Sequence, residues 1–155
     1  MILVTLGTQQ QKFYRLLKAI EDLNLDEEII VQAGGSSDYK SDKLKIFKFI
    51  SYDEMNELLK RADLVITHGG TGSILGALKN GKKVIACPRL SKYGEHVDDH
   101  QKEIVENFAS EGYLLMYDDG CDMLDIYKKS LDFKPMKYIS NKNNFIEKLR
   151  CEIGV

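Results

Sequence analysis

Short apolar runs alternate along the chain with longer amphipathic stretches. Five of the apolar runs are rich in β-branched residues and predict strands: ILVTL, EEIIVQAG, KIFKFI, DLVITH and KKVIACP. A weaker sixth run, GYLLMY, follows at residues 112–117. Runs such as LVITH are apolar at nearly every position, which is typical of strands that are covered on both faces.

The stretches between these runs have the spacing of helices. In FYRLLKAIEDL one set of apolar residues recurs every three or four positions: Phe13, Leu16, Leu17, Ile20 and Leu23. The same spacing predicts helices at residues 52–62, 73–80, 99–109 and 121–131, and a last helix in NKNNFIEKLRCEI that Ser140 or Asn141 would cap. Strands that alternate with helices predict an α/β fold, a Rossmann-like parallel sheet with helices on both faces.

A chain of 155 residues is expected to form one domain, with C-terminal helices at about residues 121–152. Its 22 basic and 24 acidic residues are mixed along the sequence and give a net charge of −2. We therefore expect no nucleic-acid partner, and an anionic ligand would have to be held by local geometry.

The three cysteines, Cys87, Cys121 and Cys151, are far apart, so neither a disulfide framework nor a zinc knuckle is expected. The first apolar run, MILVTLG, has no basic flank and is far too short to span a membrane. Together these features predict a cytoplasmic protein without a transmembrane segment of its own.

Ligands of open α/β sheets bind beyond the carboxyl ends of the strands, so the loops that follow strands are the candidate sites. The first such loop, LGTQQQ at residues 6–11, contains Gly7, which permits close approach of the backbone, and Thr8, which offers a hydroxyl. The free amides of the following helix would suit a diphosphate. The alternative is an ordinary turn and helix cap.

The second loop, THGGTGSI at residues 67–74, follows a strand and opens a helix that Gly81 is predicted to end. It has neither a GK[ST] ending nor GxGxxG spacing, so a nicotinamide dinucleotide site is disfavoured. Its glycines suit either an anion or nucleotide cradle or tight packing alone. His68 ends the strand, where it would meet a ligand or form hydrogen bonds within the fold.

The third loop, KYGEHVDDHQKE at residues 92–103, is dense in polar side chains. His96 and His100 are four residues apart and would share a face to bind zinc if both were helical. Asp98 or Asp99 is the better helix start, which leaves His96 in the loop and favours contacts to a substrate or sugar. A solvated polar loop is the remaining interpretation.

Together, TLGTQ, HGGTGS and EHVDDHQ resemble, in residue type and spacing, the C-terminal, donor-binding half of the GT-B glycosyltransferases of family 28. The resemblance covers residues 1 to about 117. The sequence is most similar to the small PssE- or EpsF-type subunits of bacterial exopolysaccharide and capsule synthesis. It is also similar to the C-terminal half of MurG and to the small subunit of the eukaryotic UDP-N-acetylglucosamine transferase.

The resemblance implies a UDP-sugar donor and gives roles to the residues at matching positions. The diphosphate would meet Gly7, Thr8 and Gln9, and the backbone of Ile50 would frame the uracil. The phosphates and ribose would meet Gly70, Thr71, Gly72 and Ser73, and the donor sugar would meet Glu95, Asp99, His100 and Gln101. No metal ion and no cofactor is implied.

One position departs from the resembled enzymes, in which a glutamate of the helix after the second loop holds the ribose. The matching position here is Gly76. The ribose contact would then come from another residue, such as Glu95, or be absent.

The implied reaction is transfer of a hexose, with inversion, from the UDP-sugar to a polyprenyl-diphosphate-linked saccharide in polysaccharide synthesis. The catalytic base would be His68, His100 or a group on a partner. Because a GT-B enzyme has two domains, the resemblance implies a membrane-anchored PssD-type acceptor subunit that holds this chain at the inner face of the plasma membrane. The competing interpretation is a non-catalytic UDP-sugar-binding or partner-stabilising module.

Overall fold

Six parallel strands form the sheet in a computed structural model that describes residues 1–140 and residue 151. The strands are β1 (Ile2–Thr5), β2 (Ile29–Gln32), β3 (Leu44–Phe47), β4 (Leu64–His68), β5 (Lys83–Cys87) and β6 (Leu115–Met116). Each of the six apolar runs thus coincides with a strand, although β3 begins one residue before its run. The last predicted helix, at residues 141–153, lies outside the described residues apart from Cys151.

Five helices connect or follow these strands: α1 (Tyr14–Glu21), α2 (Tyr52–Arg61), α3 (Thr71–Lys79), α4 (His100–Ser110) and α5 (Met123–Asp132). Two short 3-10 turns, Gly34–Ser36 and Ser91–Tyr93, were not among the predicted elements. In the part of the chain that the structure describes, no helix combines the length and apolarity needed to cross a membrane.

The sheet separates two apolar clusters, and this confirms the prediction of helices on both faces. Val4 and Ile66 point to the face that α1 and α5 cover. Their neighbours Leu3 and Val65 point to the face that α2, α3 and α4 cover. Because successive side chains of a strand alternate between faces, strands buried on both faces become apolar at nearly every position.

The strand order is β3-β2-β1-β4-β5-β6, so the direction of winding reverses between β1 and β4. After β3, the chain crosses back over β2 and β1 to add β4, β5 and β6 on the other side of β1. Loops that leave the carboxyl ends of β1 and β4 therefore run to opposite faces and leave a crevice between them. This crevice is where the three candidate loops meet.

Glycine ends the helix that leads away from this crevice. Gly81 has a φ of +68°, and its amide donates to the carbonyl of Leu78 at 3.0 Å. The next amide, that of Lys82, donates to the carbonyl of Ala77 at 3.1 Å. The left-handed residue lets the chain turn from α3 into β5, as predicted for Gly81.

Candidate functional site

His68, the last residue of β4, is the centre of the site. Gly7, in the first loop, has a φ of +75°, and a Cβ atom there would lie 2.7 Å from His68 Nε2. A Cβ atom on Gly70 would lie 2.2 Å from His68 Cε1. The imidazole is therefore enclosed by two glycine backbones, and neither position has room for a side chain.

The ring of His68 is hydrogen-bonded on both nitrogens. Nδ1 accepts a hydrogen bond from the Gly70 amide at 3.1 Å and lies 3.3 Å from Gln101 Nε2, while Nε2 lies 3.2 Å from Ser73 Oγ. Burial, and then the positive charge of Arg89, lowers the pKa of His68 to about 4. The ring is thus neutral at pH 7, with its proton on Nε2, and the lone pair of Nδ1 already accepts a hydrogen bond from the protein.

Gln101, at the end of the third loop, binds the second loop through a hydrogen bond. Its side-chain oxygen accepts hydrogen bonds from the amides of Gly69 and Arg89, both at 3.0 Å. The side chain is only 6% exposed. Sequence reasoning assigned Gln101 to the donor sugar, whereas the structure turns its amide group to the protein interior.

Glu95 also faces inward. Its carboxylate forms a paired contact with Arg15, in which Nε and Nη2 each donate at 2.9 Å, and it accepts the Leu90 amide at 3.0 Å. The residue is 2% exposed. The structure therefore places the carboxylate of Glu95 against Arg15 of α1, and its contact with the donor sugar or the ribose stays a prediction.

Asp99 and His100 remain at the surface, at the start of α4. Asp99 Oδ1 accepts from the amide and the hydroxyl of Ser91, at 2.8 and 3.0 Å, and these hydrogen bonds lower the pKa of Asp99. The amide of His100 donates to Asp98 Oδ1 at 3.0 Å, and its ring is 67% exposed. These two predicted donor-sugar residues are accessible to a ligand.

His96 lies in the loop and not on α4, as the predicted helix start requires. Its Nε2 is 3.4 Å from Gln9 Nε2, and its Nδ1 is 3.2 Å from Asp98 Oδ1. His96 and His100 therefore do not share a helix face. Among residues 1–140 and 151, no group of three or more His, Cys, Asp or Glu side chains is placed to hold a metal ion.

The N-terminus of α3 has no side-chain cap. Its N-cap residue is Gly70. Ser51 and Glu54 form a capping box on α2 and Asp122 caps α5, whereas α1 and α4 also lack a side-chain cap. The amides of the first helical turn of α3, residues 71–73, are thus left for a ligand or water. An anion at this end would also be stabilised by the helix dipole.

A cavity of about 370 Å³ extends from this helix end between α2 and α3. Gly72 and Gly76 line it one helical turn apart, and a Cβ atom on either glycine would meet no atom within 4 Å. The polar residues Thr5, Gln32 and Asn56 also line the cavity. No carboxylate is among its described lining residues.

Ile50 lines a second groove, of about 440 Å³, between β3 and α2. The side chains of Phe47 and Phe49 line the same groove. The residue predicted to frame the uracil therefore lies beside the cavity of Gly72 and Gly76, on the other side of α2, and its role stays a prediction.

Arg15 and Arg89 were not among the predicted site residues. Their guanidinium groups donate hydrogen bonds to Glu95 in the third loop. Arg89 is fully buried, although it carries a charge. One signal was available, because Arg89 interrupts the run VIACPRL, in which all the other residues are apolar. Arg15 gave no such signal, since a basic residue in an amphipathic helix is ordinarily solvated.

The protein-family model that matches this chain is the glycosyltransferase family 28 C-terminal domain, over residues 1–149. The chain is similar to the UDP-N-acetylglucosamine transferase subunit ALG13 of Candida glabrata, with 29% identity over 134 residues, 84% of this chain and 63% of that protein. It is 38% identical to the Saccharomyces cerevisiae subunit of the same name over 73 residues, 46% of this chain and 34% of that protein. Both matches cover less than two thirds of the relative's own length.

Solved structures show the same fold at low sequence identity. The NMR solution structure of ALG13 superposes with a TM-score of 0.58 and 22% identity, covering 96% of this chain and 93% of that chain. The crystal structure of Acinetobacter baumannii MurG gives 0.61 and 16%, covering 96% of this chain and 49% of that chain. The predicted architecture, that of the C-terminal half of a GT-B glycosyltransferase, is confirmed.

Proposed function

Because the chain belongs to the glycosyltransferase family 28 C-terminal domain family, we propose that it binds the UDP-sugar donor of an inverting hexosyltransferase. The observation that carries this proposal is the uncapped first turn of α3, which opens directly onto the cavity lined by Gly72 and Gly76. A nucleoside diphosphate has the two parts that such a site requires, an anion for the helix end and a nucleoside for the cavity.

The diphosphate is proposed to lie between the first turn of α3 and the loop of Gly7, Thr8 and Gln9. Thr8 is exposed and Gln9 is half-buried, so both can contact a ligand at this edge. The amides of residues 71–73 are fixed before the ligand binds. They would therefore stabilise the charge that develops on departing UDP without a metal ion or cofactor.

The acceptor oxygen forms a bond to the anomeric carbon of the donor while the bond from that carbon to the diphosphate breaks and its electron pair leaves with UDP. A base takes the proton of the acceptor hydroxyl. The ring of His100 is exposed, and its Nδ1 lies 3.9 Å from Glu103 Oε2, whereas the lone pair of His68 Nδ1 already accepts the Gly70 amide. We therefore favour His100 or a partner residue as the base and assign His68 to holding the second loop.

A second chain is proposed to supply the acceptor site. Large apolar side chains are exposed on the segments that follow the strands at the carboxyl edge of the sheet: Phe49 (55%), Tyr52 (81%) at the start of α2, Tyr93 (50%) and Val97 (81%). Exposed apolar groups around a polar site are typical of a surface that another protein covers. The ALG13 relatives are named as subunits of a UDP-N-acetylglucosamine transferase.

We propose that the chain is a bacterial PssE- or EpsF-type subunit and that it works with a membrane-anchored PssD-type partner. The partner would bring a polyprenyl-diphosphate-linked saccharide to the exposed rim and hold the complex at the inner face of the plasma membrane. The assignment to the PssE or EpsF type, with a PssD-type partner, is supported by the sequence resemblance. A non-catalytic UDP-sugar-binding or partner-stabilising module is the alternative, and it predicts UDP binding without turnover in the presence of the partner.

Thermal unfolding with UDP, UDP-sugars and NAD tests the donor site. A ligand at 100 times its dissociation constant raises the free energy of unfolding by about 2.7 kcal/mol. We expect this stabilisation from UDP or a UDP-sugar and not from NAD. Stabilisation by NAD alone would refute the proposal.

The variant Gly72→Val tests whether UDP binds in the cavity. Its Cβ atom would enter open space, with no protein atom within 4 Å. We expect the variant to fold and to lose UDP binding. Asn107→Val, at an exposed position of α4, is the matched control and should bind UDP normally. Gly70 is unsuitable for this test, since a side chain there collides with His68 and would disturb the fold.

A further inference from the structure

Arg89, two residues after the end of β5, is a charged side chain in the interior. It is 0% exposed, and its guanidinium carbon lies 4.8 Å from the ring centroid of Phe13. Burial lowers the pKa of Arg89 to about 10, so the guanidinium remains charged at neutral pH. The reaction proposed above makes no use of this buried charge.

The guanidinium donates only to main-chain oxygens. Nη2 donates to the carbonyl of Leu6 at 2.7 Å, and Nη1 donates to those of Gln11 at 2.9 Å and Glu95 at 3.1 Å. Leu6 and Gln11 are the two ends of the first loop, so Arg89 holds that loop to the third loop. Its Nε has no hydrogen-bond partner among the described residues.

The charge of Arg89 has no direct counter-ion. None of the ion pairs among residues 1–140 and 151 includes Arg89, and the buried carboxylate of Glu95 is paired with Arg15. The Glu95 carboxylate raises the pKa of Arg89 against the effect of burial, so the charge is compensated only in part. A partly compensated charge in the interior destabilises a protein, and an apolar side chain of similar length would avoid that penalty. Holding a loop requires donors but not a net charge, so the charge itself needs another explanation.

The positive charge of Arg89 acts on His68, at the carboxyl end of β4 where the second loop begins. Arg89 is one cause, after burial, of the lowered pKa of His68. The ring of His68 contacts Gly7 on one side and Gly70 on the other. A charge that disfavours a proton on His68 favours an anion at the same edge.

We infer that Arg89 is a positioning residue for the donor, which holds the first loop and supplies the buried positive charge that the diphosphate balances. This inference rests on the proposed function, because it takes the anion at this edge to be the diphosphate of a nucleotide. Arg89 acts through the loop and through its field, and no direct contact with the ligand is required.

Uridine, UMP and UDP test the inference, since they carry increasing negative charge on one nucleoside. Their dissociation constants are measured by calorimetry for the wild-type chain and for Arg89→Gln, which keeps N–H donors but loses the charge. We expect UDP binding to weaken about tenfold more than uridine binding. Lys18→Met, which removes an exposed cation on α1, should leave the ratio of the two affinities unchanged.

Arg89→Lys keeps the charge but loses the planar fork, so it should retain the UDP-to-uridine ratio although the chain becomes less stable to heat. If Arg89→Gln does not fold, Arg89→Met, which can still pack on Phe13, replaces it with the same expected ratio. Equal weakening of all three ligands in the neutral variant would overturn the inference and leave the donor site standing. Failure of the wild-type chain to bind any of them would refute both proposals.

Discussion

The side-chain oxygen of Gln101 lies 3.0 Å from the amide nitrogen of Gly69 and bonds the first turn of α4 to the end of β4. The same oxygen accepts the Arg89 amide at 3.0 Å. One side chain thus satisfies two buried amides from two loops.

Replacing Gln101 with leucine should therefore leave two buried donors without partners. Each unsatisfied group costs about 1–3 kcal/mol, so we expect the free energy of unfolding in urea to fall by about 2–6 kcal/mol. Gln10→Leu, at an exposed position of the first loop, is the control and should change stability little. Equal stability of the two variants would contradict the role assigned to Gln101.

Acid should destabilise the protein through His68. The pKa of His68 is about 4 in the folded chain and about 6.5 in an unfolded chain. The unfolded state therefore binds more protons between these values, and stability is complete above pH 6.5 and decreases as the pH falls towards 4. We expect a loss of up to about 3 kcal/mol over this range.

Urea unfolding from pH 7 to pH 4 measures this loss. His68→Gln cannot titrate, so its free energy of unfolding should fall less steeply than that of the wild-type chain over this interval. His100→Gln removes an exposed histidine and should retain the wild-type slope. A wild-type slope in His68→Gln would show that other groups are responsible.

Gly76 is open to substitution, because a Cβ atom there meets no atom within 4 Å. Gly76→Glu would place a carboxylate in the cavity, where the resembled enzymes hold the ribose with a glutamate. We expect the ratio of UDP to 2′-deoxy-UDP affinity to rise about tenfold, as for a hydrogen bond to a charged group. Calorimetry measures both affinities.

Gly76→Gln is the isosteric control for that experiment. Its neutral amide makes weaker hydrogen bonds than a carboxylate, so the ratio should rise less. Both variants should also be at least as stable as the wild-type chain, since glycine within a helix is less favourable than either residue. If the glutamate variant binds both nucleotides equally, the ribose does not lie against Gly76.

Arg15 keeps the buried carboxylate of Glu95 neutralised, and their side chains are 22% and 3% exposed. Arg15→Met leaves that carboxylate without its partner, so we expect the free energy of unfolding to fall by about 3 kcal/mol. Lys18→Met, which breaks the exposed pair of Lys18 with Asp22 on the same helix, should change it little, because solvent screens exposed ion pairs. Urea unfolding at pH 7 compares the two, and similar losses would mean that the Glu95 pair is effectively solvated.

The fold was predictable because its determinants are local. The apolar runs around Val4 and Ile66 are buried on both faces, and this burial leaves a pattern that the sequence displays directly. Gly81 could likewise be placed at a helix end, since a positive φ favours glycine. The 3-10 turn Ser91–Tyr93 left no such pattern, because three residues are fewer than one period of amphipathic spacing.

The location of the site in the fold could be predicted from the sequence, but the orientation of its side chains could not. Sequence reasoning brought Gly7, His68 and Gly70 to one edge, and the structure packs them together. It did not distinguish the exposed polar residue His100 from Gln101, the buried residue next to it. A motif gives the order of polar residues, whereas their orientation depends on partners that are distant in sequence, such as Gly69.

The end of α3 presents peptide groups in place of side chains, because its N-cap is a glycine. Replacing side chains one at a time by alanine leaves such groups unchanged, so an alanine scan of this edge will underestimate its contribution. Changing a backbone amide of residues 71–73 to an ester would reveal that contribution directly. Sequences can also diverge widely around such an edge without altering the atoms that an anion would contact.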